Sequence, residues 1–347
     1  MPDNELIATS SFEAESNLSL SLEPTVITPD YFIQHYPEFL RRYIAKGSPS
    51  QDTMQSYCIR INRFMAWCVE HKRHPLAMSD YQMHIYRDYL VQKSYAADTI
   101  QSKLTAIKAF YHTALKLGLI KENPCADIDA PYSNVANQLI HAYRPDQMKE
   151  VCDIFMEEPD PFLKWRNTAI LYLMGVEGLR NVEVHRSCLE DIDWDQGIIN
   201  VRGKGSKGRM DPVFPCRETM EVLRNYVEAI DPNKKIKKDG MLTPFILSDS
   251  NNNEFGRISR NGIRYIMNKA LVSADLKYPG LSCHVFRHSC GTNLYAETKD
   301  LRLVQDTLRH RDPKVTARYA HLAGRLEHRS TSVIAKSMLQ SDKNNHT

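Results

Sequence analysis

The chain has 347 residues, 42% of them hydrophobic and 25% charged, with a formal net charge of +3. That length suits two domains, and the composition is that of an ordinary soluble protein. No apolar run approaches the roughly 18–20 residues that a membrane span needs, and no basic segment followed by an apolar one marks a signal peptide at the start. The eight cysteines are scattered, none in CxxC spacing, as expected of reduced thiols in a cytoplasmic protein. Residues 1–30 hold six acids and no Lys or Arg, so the remainder carries 45 basic against 36 acidic side chains. Such an excess permits nucleic-acid binding without establishing it.

In chain order, residues 1–30 are rich in Ser, Glu and Thr and are expected to be disordered. A helical domain is expected over 31–122. Met54, Tyr57, Cys58, Ile61, Phe64, Met65 and Cys68 form one amphipathic stripe; Ile100, Leu104, Ile107, Phe110, Tyr111, Ala114 and Leu115 form another. Asp98 and Gly118 bracket the second stripe as start and stop signals. Two further helices are expected near 30–46 and 79–95. Residues 123–140, with two prolines and weak periodicity, read as a linker. Beyond it, helices near 145–156 and 161–177 lead to a β-hairpin of GIINVRG (197–203) and RMDPVFP (209–215) around a Gly/Lys turn. Helices resume at about 217 and dominate from 256 onward. The fold class is therefore mainly α with a small β-sheet in the second domain, 141–325, followed by a tail helix over 326–347.

Four local features carry chemical possibilities. GLRNVEV (178–184) places Arg180 after an apolar helix, either as a surface arginine or as one held at a pocket floor, where its planar fork suits two phosphate oxygens. RGKGSKGR (202–209) matches G-x-G-x-x-G, but no helix follows, since Pro212 and Pro215 do, and no Gly-Lys-Ser/Thr ends it. What survives is a tight turn bearing Arg202, Lys204, Lys207 and Arg209, either solvated or set against DNA backbone. HVFRH (284–288) puts His284, Arg287 and His288 on one helical face. The HxxxH spacing also suits zinc, yet the glutamate of a zinc protease is absent and a cation sits between the histidines, so no metal is expected. In HRDPKVTARYAH (310–321), Asp312-Pro313 is a helix-start signature. On one unbroken helix His310 and Tyr319 would lie on opposite faces; the break lets them converge.

The order GLR, GKG, HxxR, LRH and RY resembles the tyrosine recombinase family, which includes phage integrases and Xer-type recombinases. Lys204 lies 24 residues after Arg180, His310 lies 26 after His284, and Tyr319 lies nine after His310. The resemblance covers about residues 140–325 strongly and the helical domain less specifically. It implies a site-specific recombinase of the two-domain Xer-like type, its domains forming a C-shaped clamp on double-stranded DNA. Strands would be cleaved and rejoined through a 3′-phosphotyrosine, in a tetramer in the synaptic complex, without a cofactor and away from the membrane, in the cytoplasm with the nucleoid.

By the same resemblance, Arg180 and Arg287 would clamp the scissile phosphate and Lys204 would protonate the leaving 5′ oxygen. His284 would exchange a proton with the nucleophile, His310 would hydrogen-bond a phosphate oxygen, and Tyr319 would attack phosphorus. Glu183 would be a structural acid beside Arg180. One departure stands out: Arg309 occupies the place where the family usually has glycine, implying a slightly strained turn or an added DNA contact. A type IB topoisomerase uses similar chemistry, and a non-catalytic DNA-binding protein could share the scaffold. The tail after Tyr319, apolar at Leu322, Leu326, Val333, Ile334 and Leu339, would dock on a neighbouring protomer or fold back on its own.

Overall fold

Among the described residues, four α-helices build the first of two units, which divide at residue 135. The computed structural model describes residues 26–131, 141–202 and 210–310, together with 313, 315–317 and 319. Helix α1 (Pro29–Tyr43) opens on Pro29 with Thr28 Oγ1 accepting from Tyr31 N, the N-cap chemistry that satisfies an otherwise orphaned donor. Helix α2 (Gln51–Glu70) is capped by Ser50, and α3 (Asp80–Gln92) by a reciprocal Ser79/Gln82 capping box. Helix α4 (Ala97–Lys116) starts one residue before Asp98, which sits in its first turn. It stops ahead of Gly118, whose φ is +71°.

The expected apolar stripes face one core, in which Phe32, Ile61, Phe64, Leu104, Phe110 and Tyr111 are fully buried. Cys125 and Ile128 are fully buried in the same core. The Asn123 side chain ties this segment down, donating to Lys108 O at 3.1 Å and accepting from Cys125 N at 2.9 Å. Residues 123–128, expected to begin the linker, therefore finish the first core; burying Ile128 alone is worth about 2 kcal/mol. The rest of that expected linker, 132–140, lies outside the described residues.

The second unit is organised around α6 (Pro161–Gly175), in which Ala169, Ile170, Leu171, Leu173 and Met174 are all buried. Buried Arg166, Asn167 and Thr168 complete its circumference, and a helix buried on every side belongs in the middle of a unit. Helix α5 (Pro145–Met156) precedes it, and the short α7 (Asn181–Arg186) follows. Three antiparallel strands come next: β1 (Ile192–Asp193), β2 (Ile198–Arg202) and β3 (Met210–Val213), in that order across the sheet. The β2–β3 register pairs Ile199 with Val213 and Arg202 with Met210, as the expected hairpin requires. Pro212 is accommodated because β3 is an edge strand. Helices α8 (Arg217–Glu228), α9 (Arg260–Ser273), α10 (His284–Thr298) and α11 (Leu301–Leu308) complete the unit, and the described residues from Pro313 to Tyr319 are helical. All eight cysteines are free. Among the described residues no helix is long and apolar enough to cross a membrane.

Candidate active site

Arg180 is placed by a glycine turn. The chain leaves α6, passes Gly178 at φ +65° and enters α7 with Arg180 as its N-cap residue. A Cβ at Gly178 would lie 2.5 Å from Leu308 Cδ2 and 3.2 Å from Cys290 Sγ, so only glycine allows both the left-handed backbone and the close approach of α10 and α11. One turn into α7, Glu183 reaches back. Its Oε2 accepts from Arg180 N at 2.8 Å, and its Oε1 accepts from Arg180 Nη1 at 2.7 Å. The carboxylate is buried while Arg180 keeps a partly open face.

Two more arginines converge on Glu183. Arg287, on α10, is 4% exposed. Its guanidinium lies 4.0 Å from Glu183 Oε2 and donates to the carbonyls of Gly178 and Leu308. Arg309 follows α11 in the left-handed region (φ 54°, ψ 48°). The bonds from Arg309 N to Asp306 O and from His310 N to Gln305 O close a Schellman motif there. The Arg309 side chain turns inward, its Nη2 donating to Glu183 Oε2 at 3.0 Å. Its carbonyl accepts from Arg180 Nη2 at 3.4 Å. The residue weighed as an added DNA contact thus braces the arginine cluster from within.

The electrostatics follow from this packing. Burial opposes ionisation of Glu183, but the charge of Arg309, the Arg180 N–H and the Arg180 guanidinium outweigh it and hold the carboxyl below its usual range. Burial, then the nearby Arg180 charge, pulls Arg287 down to about 10. His284 opens α10 with an exposed residue surface. The protein packed around its ring, then the charges of Arg287 and Arg180, lower its pKa. His310 is pulled down to about 4 by burial and the same two arginines, so its ring is neutral at physiological pH. Its Nδ1 meets Thr316 Oγ1 at 3.0 Å; with the hydroxyl donating, Nε2 carries the proton.

Tyr319 is 2% exposed and packs with Cys290, Val304 and Leu308. Its ring lies parallel to that of His310, with centroids 6.1 Å apart and planes 8° apart. The two residues converge, as expected from the helix break between them. Gly291 makes room for the phenol: a Cβ there would stand 2.9 Å from two ring carbons. The Tyr319 hydroxyl lies 3.1 Å from Nδ1 of His288. Sequence reasoning weighed His288 only as a metal ligand and missed this contact, although its i+4 spacing from His284 was visible. Among the described residues no group of three or more His, Cys, Asp or Glu side chains could hold a metal ion.

Arg202 lies at the end of β2, and its guanidinium is bound at 2.7 Å by the buried carboxylate of Asp191. Lys204, Lys207 and Arg209 lie outside the described residues. The site thus brings together Arg180, Arg287, His310 and Tyr319, adds Glu183, His288 and Arg309, and has His284 beside the arginines. Paired guanidiniums and a neutral imidazole donor make an oxyanion cradle, and a phenol hydrogen-bonded to an imidazole makes a nucleophile with a base in reach. A groove of about 500 Å³ adjoins the tyrosine nest, lined by Met148, Cys152, Leu171, Tyr172, Cys290 and Leu294 among others.

Residues 142–325 match the phage integrase family, and residues 38–120 match the phage integrase N-terminal SAM-like domain. The chain is 30% identical over 239 residues to the tyrosine recombinase XerC of Halalkalibacterium halodurans, covering 68% of this chain and 75% of that protein. It is 28% identical over 277 residues to XerC of Staphylococcus carnosus, covering 79% and 88%. The fold is similar to that of the XerH site-specific recombinase bound to its palindromic difH substrate in a post-cleavage complex. That likeness has a TM-score of 0.65 at 16% identity and covers 80% of this chain and 79% of the other.

Proposed function

The chain belongs to the phage integrase family, and from that premise we propose a role for each converging side chain. The protein is a tyrosine site-specific recombinase, an enzyme that cleaves and rejoins DNA strands. Tyr319 attacks the scissile phosphorus and holds the 3′ end as a phosphotyrosine. Arg180 and Arg287 clamp the non-bridging oxygens, His310 donates to one of them through Nε2–H, and His284 completes the cradle. Lys204 protonates the leaving 5′ oxygen. Because the phosphodiester bond energy is kept in the covalent intermediate, no nucleotide cofactor is consumed.

The observation that carries this reading is the parallel approach of Tyr319 to His310, whose ring is kept neutral by burial and the neighbouring arginines. Side chains from α7, α10, the end of α11 and the helical segment after it come together there, which supports a phosphate-transfer site. The match of both units to integrase-family models favours recombination over a type IB topoisomerase or a non-catalytic DNA-binding protein. The test is covalent trapping. Tyr319→Phe is expected to bind its DNA site but form no adduct on a nicked suicide duplex; an adduct in that variant would refute the assignment.

Exchange between two DNA sites needs several protomers, and this reading makes the working form a tetramer, acting on DNA in the cytoplasm with the nucleoid. The apolar groove beside Cys290 would receive the amphipathic segment beyond Tyr319 from a neighbouring copy.

A further inference from the structure

The family resemblance gives proton exchange with the nucleophile to His284. The geometry points to a different residue: we propose that His288 holds the Tyr319 hydroxyl and takes its proton, an inference that rests on Tyr319 being the nucleophile. His288 Nδ1 is 3.1 Å from Tyr319 Oη, within the reach a general base needs. The two rings are tilted at 43° with centroids 6.1 Å apart. The hydroxyl is aimed there by the packing of the ring. Gly291 leaves the space the phenol fills, and the His310 imidazole lies parallel to the ring with centroids 6.1 Å apart. His284 lies one turn earlier on α10, where its backbone N–H is 3.4 Å from Ser282 Oγ.

The other imidazole against Tyr319 is unsuited to the task. His310 has its Nδ1 engaged by Thr316, and burial, with the nearby arginines, makes it a weak base. Among the described residues, His288 meets Tyr319 on the last helical segment and lies near His310 after α11, and Arg287 precedes it on α10. For Nδ1 to accept, the resting proton of His288 sits on Nε2.

The step balances as follows. The phenolic proton passes to His288 Nδ1, and the freed electron pair forms the Oη–P bond. The P–O5′ bond breaks with its electron pair on O5′, which takes a proton from Lys204. In rejoining, the 5′ hydroxyl returns its proton to Lys204 and attacks phosphorus, and Tyr319 leaves and recovers its proton from His288.

The test is single-turnover cleavage of a nicked suicide duplex by the full chain across pH, with DNA binding measured alongside. His288→Asn keeps an acceptor near the Nδ1 position but cannot carry a proton. It is expected to bind DNA like the wild type and to cleave roughly 10²–10⁴-fold more slowly. Its rate should still climb with pH where the wild-type rate has levelled off. His288→Ala should be slow and be partly rescued by added imidazole, which a merely structural role would not produce. Cleavage by His288→Asn within about threefold of wild type would overturn the inference, as would loss of the plateau in His284→Gln instead. Should both His288 variants fail to bind DNA, histidine ¹⁵N NMR of the wild type decides. A change at the His288 Nδ1 resonance on Tyr319→Phe supports the contact, and an unchanged resonance refutes it. A wild-type-like His288→Asn whose adduct still requires Tyr319 removes this inference alone; an adduct in Tyr319→Phe removes the nucleophile assignment as well.

Discussion

His310 and Glu183 are both held in the form that acid removes. The His310 ring falls from the ordinary histidine value of about 6.5 to about 4. Between those values the unfolded chain binds a proton that the folded chain refuses, so stability declines as pH falls from about 6.5 to 4 and the effect levels off below. The Glu183 carboxyl is depressed, so its contribution is present above the ordinary glutamate range and is lost as pH falls through its folded value. His185 and His284 shift in the same direction as His310. The urea midpoint should therefore be flat from about pH 6.5 to about pH 8 and fall below that window, and His310→Asn should flatten the upper part of that fall. Superimposable profiles for the two proteins between pH 6.5 and 4 would exclude His310 as a source. At this scale the sequence was informative about residue type and order and blind to direction. HVFRH shows two histidines on one face, but which of them meets Tyr319 depends on how α10 lies against a segment some thirty residues away. LRH shows an arginine in a glycine's place, but not that its side chain turns in to Glu183.

Helix α11 shows how an element's end is set by its tertiary neighbours. A non-glycine residue in the left-handed region costs about 1 kcal/mol, and Arg309 stands there at φ 54°. Its charge-assisted bond to a buried carboxylate offsets that cost. Arg309→Gly relieves the backbone but leaves Glu183 with one guanidinium fewer, and we expect a net loss of about 1–2 kcal/mol in urea unfolding. A variant more stable than the wild type would show that backbone strain outweighs the pair. Elements with several turns of apolar periodicity were legible: α2, α4, α5, α6 and α8 fall where the pattern puts them, and the hairpin followed from its glycine-rich turn. The two-residue β1 has no period to detect. Cys125 and Ile128 sit in a proline-broken stretch with too few apolar residues to declare a buried face, so that stretch read as linker.

On the scale of the whole molecule, each unit has its own core, and the excess of basic over acidic side chains lies beyond the acidic first thirty residues. Proteins that bind DNA through such an excess lose affinity steeply as salt rises. Assembly is separable from binding in this reading. Deleting residues 324–347 removes the segment expected to seat in a neighbour's groove while leaving the arginine cluster and Tyr319 in place. Single-site gel shifts should be unchanged and two-site bridging lost. A truncated protein that still bridges two sites would show that the tail is not the link.

The sharing of Glu183 by Arg180, Arg287 and Arg309 has a consequence for charge balance. Three guanidiniums set against one carboxylate leave the described cluster with two positive charges in excess. A phosphodiester supplies one negative charge, and so does the phosphotyrosine that replaces it. The five-coordinate phosphorus between them carries two. Within this cluster, neutrality is reached during the transfer and at neither end of it, which is how fixed charges favour a passing state over the stable ones that flank it.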